Sequence, residues 1–452
     1  MIDFFPRFYG RGIDEEIDED MENENRKKMN ENYERVLLVG VDDGTRREDF
    51  DHSMEELKSL ANACFMELVG LVTQKMDCVN KGLYIGTGKV KEVKEAVSLL
   101  EASVVIFDDT LTPSQLRNLQ KELGTAILDR TTLILDIFDT RARTREAKLQ
   151  VESAKLKYLL PRLVGMHEAL TRQGGTSGSM SSRGAGEKKL ELDRRRIEHR
   201  ISELSRELEE VARERQVQRK KRQRARIPLV ALVGYTNAGK STIMNTMIET
   251  YGMDQEKKVL EKDMLFATLD TTVRKISTEN NRDYLLSDTV GFIHRLPHSL
   301  IKAFHSTLEE MLNADLLIHV VDYSDPYYRE QMDTTKQTLA ELNAGEIPMI
   351  TVFNKVDKCN EMIKYPQIIG EDKIYISAKK SSSIRFLTDM ILNKVYQEYV
   401  FSEFLLPYEK GNVASYFMEY SHIISREFEE NGVRIQTKCH KADREKYAEY
   451  LI

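Results

Sequence analysis

Cysteine is scarce and scattered: Cys64, Cys78, Cys359 and Cys439 lie far apart with no CxxC spacing, a pattern that argues against both a zinc knuckle and a disulfide framework. No run of 18 apolar residues occurs, so stable membrane insertion is not expected. The opening MIDFFPRFYGRGIDEEIDED lacks the basic start, apolar middle and small-residue cleavage site of a signal peptide, and a cytoplasmic protein is expected. Positive charge is nearly missing from the beginning. Residues 1–25 hold nine acids against Arg7 and Arg11, which accounts for the whole net charge of −7. The rest is neutral in sum but uneven, with 24 Lys or Arg against 12 Asp or Glu over residues 141–226.

At 452 residues the chain is too long for one ordinary domain. Residues 1–30 read as an acidic mobile segment with little to bury. Over 31–140, the apolar runs VLLVGV, SVVIFDD, AILD and TLILDIF read as strands, and 54–70, 88–101 and 113–123 as helices. This predicts an α/β domain with a largely parallel sheet. Over 141–226, Leu149, Leu156, Leu159 and Leu163 form one apolar seam, with a break or kink expected at Pro161. Leu190, Ile197, Ile201, Leu204, Leu208 and Val211 form a second, of coiled-coil type. The two predict an antiparallel helical hairpin, with the Gly/Ser-rich 171–187 as a flexible tip. A separate α/β domain is expected over 227–400. A small α+β appendage over 401–452 has a helix-like ASYFMEYSHIISREFEE and a strand-like GVRIQTK.

Four motifs in the 227–400 segment point to guanine-nucleotide chemistry. GYTNAGKS (234–241) follows a strand and precedes a helix, the context a phosphate loop needs. Its members Gly234, Tyr235, Thr236, Asn237, Ala238, Gly239, Lys240, Ser241 and the following Thr242 are nucleotide-binding candidates. Backbone N–H groups of 237–241 would cradle phosphates at a helix N-terminus. Lys240 would bridge the outer phosphates, and Ser241 would ligate Mg²⁺. DTVG (Asp288, Thr289, Val290, Gly291) would hold Mg²⁺ through water at Asp288 and sense the terminal phosphate at the Gly291 N–H.

NKVD (Asn354, Lys355, Val356, Asp357) supplies a carboxylate for the N1–H and exocyclic amine of guanine, a donor pair that adenine lacks, and a lysine stem to stack on the base. SAK (Ser377, Ala378, Lys379) can point a backbone N–H at guanine O6. Between the first two motifs, Thr268, Thr271 and Thr272 are the candidates for a second Mg²⁺ oxygen. Phe292 and Ile293 follow Gly291 where many such enzymes carry a water-orienting glutamine. Hydrolysis is therefore expected to be slow alone, with the missing group supplied in trans. Asn237 raises a further expectation, a K⁺ ion held beside the phosphates.

With DDTLTPSQLRNLQ, DRTTLILDIFDTRARTREAKLQVESAKLKYLLPRL, GYTNAGKST, LFATLDTT, DTVGFI, NKVD and the closing LPY in view, the chain resembles the HflX family of ribosome-associated GTPases. The segment around DTRARTREAKLQVE is the most specific, lying outside generic GTPase signatures. The resemblance implies an N-terminal α/β domain, a helical hairpin and a Ras-like GTPase domain. It implies GTP-dependent binding to the large ribosomal subunit and, in some members, splitting of ribosomes. It also implies that Thr268 is the Mg²⁺ ligand, within a Phe266, Ala267, Thr268, Leu269, Asp270 switch segment. Lys240, Thr268 and Gly291 are then the catalytic set. The tip here, GGTSGSMSSRGAGE, is longer than the family's GGIGTRGPGE and has Ala185 in place of proline.

Two functions fit the hairpin. As an RNA-binding element it would use Arg215, Arg219, Lys220, Lys221, Arg222, Arg224 and Arg226, seven cations in twelve residues with no acid, against ribosomal RNA. The arginines of the mixed stretch before them read instead as solvated faces paired with Glu203, Glu207, Glu209 and Glu210. As a protein-docking element of a signalling GTPase it would expose Leu190, Ile197, Ile201 and Leu204. A monomer is expected in either case.

Overall fold

In the computed structural model, residues 34–44, 47–172, 180–224, 227–251, 266, 272–278, 282–295, 297, 311–359, 364–397 and 399–452 are described. The acidic 1–30 segment lies outside them. The chain forms two compact units, Met1–Val211 with Arg295–Phe304, and Ala212–His294 with His305–Ile452.

The first unit begins with β1 (Arg35–Asp42), α1 (Arg47–Ala63), β2 (Glu67–Lys75), α2 (Thr87–Leu99), β3 (Val104–Phe107), α3 (Pro113–Leu123), β4 (Ala126–Asp129) and α4 (Arg130–Arg141). Its sheet runs β2-β1-β3-β4, and every pairing is parallel. The centre of β1 is buried continuously, as a strand covered on both faces requires. Helix α3 starts where the sequence says a helix should. Thr112 caps it reciprocally with Gln115, Pro113 opens it, and Gly124 closes it at φ 69°, a left-handed backbone that suits glycine.

Two elements differ from the sequence reading. TLILDIF is helical, inside α4, not a strand. Asp129 accepts from the Thr132 N–H and starts the helix, and Leu133, Ile134, Leu135, Ile137 and Phe138 are all buried, so burial on every side erased the periodicity that would have shown a helix. Conversely, the helix expected over 54–70 stops at Ala63. Phe65 takes a left-handed backbone at φ 57°, and ELVGLVTQK pairs with β1 as an edge strand.

Helices α5 (Arg145–Arg172) and α6 (Met180–Arg224) follow. Arg145 bonds Glu207, and Arg200 grips Glu152 through two nitrogens at 2.7 and 3.0 Å. These pairs run in opposite directions along the two helices, which makes the hairpin antiparallel. Of the expected seam residues, Leu149, Leu159, Ile197 and Leu204 are buried. Helix α5 continues through Pro161, so of the break or kink suggested by the sequence the break does not occur; proline removes one N–H, and the remaining turns keep theirs. The tip expected as a loop over 171–187 is helical at 171–172 and again from 180, with 173–179 outside the described residues. Gly184 and Gly186 each cost a helix only about 1 kcal/mol relative to alanine, and the strong helix formers after them extend α6 backwards.

Buried charge ties this unit together. Arg130 bonds Asp108 at 2.8 Å and also Glu56. Asp129 accepts from the Leu111 N–H at 3.0 Å, from Arg162 at 3.0 Å and from the Tyr158 hydroxyl, fastening α5 to the end of β4.

The second unit carries β5 (Leu229–Gly234), α7 (Lys240–Tyr251), β6 (Thr272–Ile276), β7 (Tyr284–Asp288), β8 (Leu316–Asp322), α8 (Tyr328–Glu341), β9 (Met349–Asn354), β10 (Gln367–Ile369), β11 (Lys373–Tyr375) and α9 (Ser381–Val395). The seven-stranded order is β10-β11-β9-β8-β5-β7-β6, parallel except at the β6 and β10 edges. A continuous apolar core of Val230, Leu232, Ile243, Met247, Ile318, Val352 and Ile391 binds α7 and α9 to it. An antiparallel sheet β12-β14-β13 of β12 (Tyr399–Leu406), β13 (His422–Glu429) and β14 (Gly432–His440), with α10 (Gly411–Tyr420) and α11 (Lys441–Lys446), completes the unit. The stretch read as one helix is thus α10 followed by β13. HIISREFE pairs with β14, and its mixed apolar and charged residues suit a half-exposed strand.

Candidate nucleotide-binding site

Strand β5 ends at Gly234 with φ 142°, and a Cβ there would lie 2.2 Å from the Val320 carbonyl oxygen; only glycine fits. Gly239, at φ 96°, is equally constrained, because a Cβ would meet Asn354 Nδ2 at 2.3 Å. Between them Asn237 takes φ 60°. This loop opens α7, whose first-turn amides have no intrahelical acceptors and form an anion site.

Lys240 opens α7 and is buried. Its amine donates to the Gly234 carbonyl at 3.0 Å and to the Tyr235 carbonyl at 2.7 Å. Burial pushes it down to about 8; the Asp288 carboxylate opposes this and Lys355 adds to it. The neighbouring Ser241 hydroxyl donates to Asp288 Oδ2 at 2.7 Å, and Thr242 accepts from the Thr246 hydroxyl through its carbonyl. A hydroxyl beside a fully buried carboxylate is a hard-oxygen donor set of the kind Mg²⁺ selects, so these residues fit the metal that this class of enzyme uses.

Of the DTVG turn, Thr289 turns its hydroxyl to the Leu232 carbonyl at 2.6 Å, away from a ligand role, and Val290 is buried. Gly291 lies against the phosphate loop: a Cβ there would sit 2.7 Å from Thr236 Cα and 3.0 Å from Lys240 Nζ. The next residue pairs with the loop directly. Phe292 N–H donates to the Gly234 carbonyl at 3.1 Å, and its carbonyl accepts from the Thr236 N–H at 2.8 Å. The Tyr235 hydroxyl accepts from the His294 N–H at 2.7 Å. Of the first switch, Phe266 is buried at φ 53°, whereas Ala267, Thr268, Leu269, Asp270 and Thr271 lie outside the described residues and Thr272 begins β6.

The base-reading residues converge through Asn354. Its Nδ2 donates to the Ala238 carbonyl at 2.9 Å, and its Oδ1 accepts the Ala378 N–H at 2.9 Å. Of the SAK backbone donors, the Ala378 N–H is thus directed to Asn354. Ser377 is buried and Lys379 exposed, while Val356 packs inward and Asp357 stays open to solvent. Lys355, at φ 62°, donates to the Asn237 carbonyl at 2.7 Å and to Asp322 at 2.7 Å. The Asn354 bridge and Asp322 were not singled out from the sequence. The one available signal for Asp322 was its place at the end of the apolar strand LLIHVVD.

Comparison with known proteins gives this geometry a lineage. Residues 51–139 match the GTP-binding GTPase N-terminal family, 141–222 the GTP-binding GTPase middle region, and 229–355 the 50S ribosome-binding GTPase family. The chain is 42% identical over 419 residues to GTPase HflX of Caldanaerobacter subterraneus subsp. tengcongensis, covering 93% of this chain and 94% of that one. The chain belongs to the HflX family of GTPases.

Against GTPase HflX of Escherichia coli strain K12 the identity is 38% over 404 residues, with 88% of this chain and 92% of that one covered. A crystal structure of a GTP-binding protein from Sulfolobus solfataricus in complex with GDP aligns at TM-score 0.41 and 25% identity, over 80% of this chain and 99% of that one. As an HflX-family member the chain binds and hydrolyses GTP on a P-loop GTPase fold, within a family that is ribosome-associated. Among the described residues no helix is long and apolar enough to cross a membrane.

The hairpin cations divide. In the mixed part of α6, Arg194 pairs with Glu191 and Glu198, Arg195 with Glu191, and Arg200 with Glu152 and Glu203. Arg215, Arg219, Lys220, Lys221, Arg222 and Arg224 fall within the last turns of α6, and Arg226 lies outside the described residues.

Proposed function

We propose that this chain is a GTP-switched cytoplasmic factor that binds the large ribosomal subunit as a monomer and, with GTP bound, dissociates or rescues ribosomes or assists subunit assembly. The observation that carries this reading is the run of three consecutive family matches ending in the 50S ribosome-binding GTPase. The acid-free cation run at the end of α6 supports it, since each phosphate neutralised releases counterions. The rival, a signalling GTPase that docks a protein on the hairpin seam, is disfavoured because Ile197 and Leu204 are already buried.

In this reading the amides of residues 237–241 and Lys240 hold the phosphates, and Asp357 and Lys355 hold the guanine. Ser241, Thr268 and, through water, Asp288 would hold Mg²⁺, which neutralises charge on the β- and γ-phosphates. The Gly291 N–H senses the γ-phosphate. Phe292 brings no polar side-chain group, so the water is oriented by backbone, by a bound cation or by the ribosome. A K⁺ ion beside Asn237 is part of the proposal, and equal GTPase rates in Na⁺ and K⁺ would remove it.

The test is GTP hydrolysis with and without purified large subunits, with sedimentation of whole ribosomes alongside. Stimulation by large subunits, and loss of the 70S peak with a GTP analogue, are expected. A protein that stays free of large subunits at low salt, with an unaltered rate, would sink the proposal.

A further inference from the structure

The geometry assigns Asp322 as a positioning residue for guanine recognition: its carboxylate fixes the Lys355 side chain across the base-binding face. This inference rests on GTP binding and not on the ribosomal reading. Strand β8 ends at Asp322, which pairs with Asn354 at the end of β9, so the carboxylate stands beside the residue that follows Asn354. That residue, Lys355, has a left-handed backbone at φ 62°, a conformation an ordinary side chain adopts only when its surroundings hold it there.

Two anchors hold the Lys355 ammonium. One is the Asn237 carbonyl in the phosphate loop and the other is Asp322 Oδ2, both at 2.7 Å. The side chains of Lys355 and Asp322 are only 15% and 16% exposed, so the pair is largely shielded from water and stronger than a surface bridge.

The carboxylate is itself immobilised. Asp322 Oδ1 accepts the Ser324 N–H at 3.1 Å and the Ser324 hydroxyl at 2.6 Å. The intervening Tyr323 N–H donates to the Asn354 carbonyl at 2.9 Å. The Tyr323 ring packs against Phe353, Tyr375 and Tyr328 with centroids 5.5, 5.0 and 5.1 Å away. The lysine ammonium is thus pinned between a phosphate-loop carbonyl and a rigid acid before any nucleotide arrives, which fixes the end of the stem, and such preorganisation raises affinity by removing an ordering cost. Because the base is common to GDP and GTP, both should gain equally, the signature of uniform binding and not of transition-state stabilisation.

The test measures fluorescent GDP and GTPγS affinities, and single-turnover GTP hydrolysis, in the full chain carrying D322N, S324A, K355M or D322N/K355M. D322N should weaken both nucleotides by the same factor, roughly tenfold as for a lost charge-assisted bond, with a much smaller change in the hydrolysis rate at saturation. S324A, which leaves the Ser324 N–H on Oδ1, should lose only about twofold. Adding D322N to K355M, which keeps the stem and removes the charge, should cost nothing more.

Additive losses in the double variant, or an S324A loss as large as that of D322N, would assign Asp322 to the turn alone and overturn the proposal. So would a D322N loss confined to hydrolysis. If melting shows D322N unfolded, D322E, which keeps the charge and displaces it, reads the same coupling against K355M.

Discussion

Lys240 shows how one side chain can be placed by sequence and tuned only by folding. Its position in GYTNAGKS assigns it to the phosphates, but its burial against the Gly234 and Tyr235 carbonyls pushes the amine down to about 8 from its ordinary value of 10.5. The unfolded chain therefore binds more protons between about pH 8 and 10.5, so this group makes stability rise with pH across that window; below about pH 8 the amine is charged in both states and the dependence ends. Bound phosphates restore the charge. Calorimetric GDP titrations in buffers of different ionisation enthalpy should accordingly report proton uptake that grows from pH 7 to 8.5, below the range in which guanine N1 ionises. Lys240→Met should abolish that uptake together with most of the affinity.

Gly291 makes the complementary residue-scale prediction. With a Cβ there 2.7 Å from Thr236 Cα and 3.0 Å from Lys240 Nζ, Gly291→Ala must displace this residue, the proposed γ-phosphate sensor, from the loop. A shift of about 1 Å in a reacting geometry costs roughly 100-fold. Single-turnover hydrolysis should fall by that order while GDP affinity changes little. The site was legible in the sequence to this extent: contiguous motifs named Lys240, Ser241, Asp288, Gly291, Asn354 and Asp357. It was not legible that Thr289 would turn to Leu232, that Ala378 would donate to Asn354, or that Asp322 would hold Lys355. Each of these bonds joins residues distant in the chain.

At the scale of elements, burial decides what periodicity can reveal. The hairpin was readable because each of its helices has a wet face and a dry one, so apolar positions recur at helical spacing. TLILDIF was not, because a segment buried all round is apolar at every position, and a strand and a helix then read alike. The deciding signal was Asp129, one residue before α4, which caps the helix while also holding Arg162 and the Leu111 N–H. The hairpin makes the element-scale prediction. Leu204 is fully buried in the α6 seam, and Leu204→Ala should destabilise the first unit by about 2–5 kcal/mol. Leu192→Ala, on an exposed position of the same helix, should cost less than about 0.5 kcal/mol. Urea unfolding of the two variants side by side checks the difference.

For the whole molecule the governing fact is charge segregation. The acidic beginning accounts for the net charge of −7, while the excess positive charge of the basic 141–226 segment is offset by acids elsewhere in the chain, so the net value says little about partners. Within the basic segment, the arginines of the mixed stretch spend their charge on neighbouring glutamates. Residues 215–226 themselves contain no acid. If the acid-free run meets phosphates, replacing Arg219, Lys220, Lys221, Arg222, Arg224 and Arg226 by glutamine should flatten the dependence of log affinity for large subunits on log salt. The slope should fall by about 0.7–0.9 for each phosphate no longer neutralised. GTP affinity measured without ribosomes should stay within about twofold, because these positions lie outside the nucleotide motifs. An unchanged salt slope would remove them from the interface.

By itself the sequence determined the chemistry of the nucleotide and the antiparallel hairpin. Phosphate loops, base-reading turns and amphipathic helices are local patterns, written in residues a few positions apart. Only the tertiary structure decided whether an apolar run became α4 or a strand, and where the Lys240 proton equilibrium settled. It alone set which acid grips Lys355, since these outcomes depend on burial and on partners that folding brings from elsewhere in the chain.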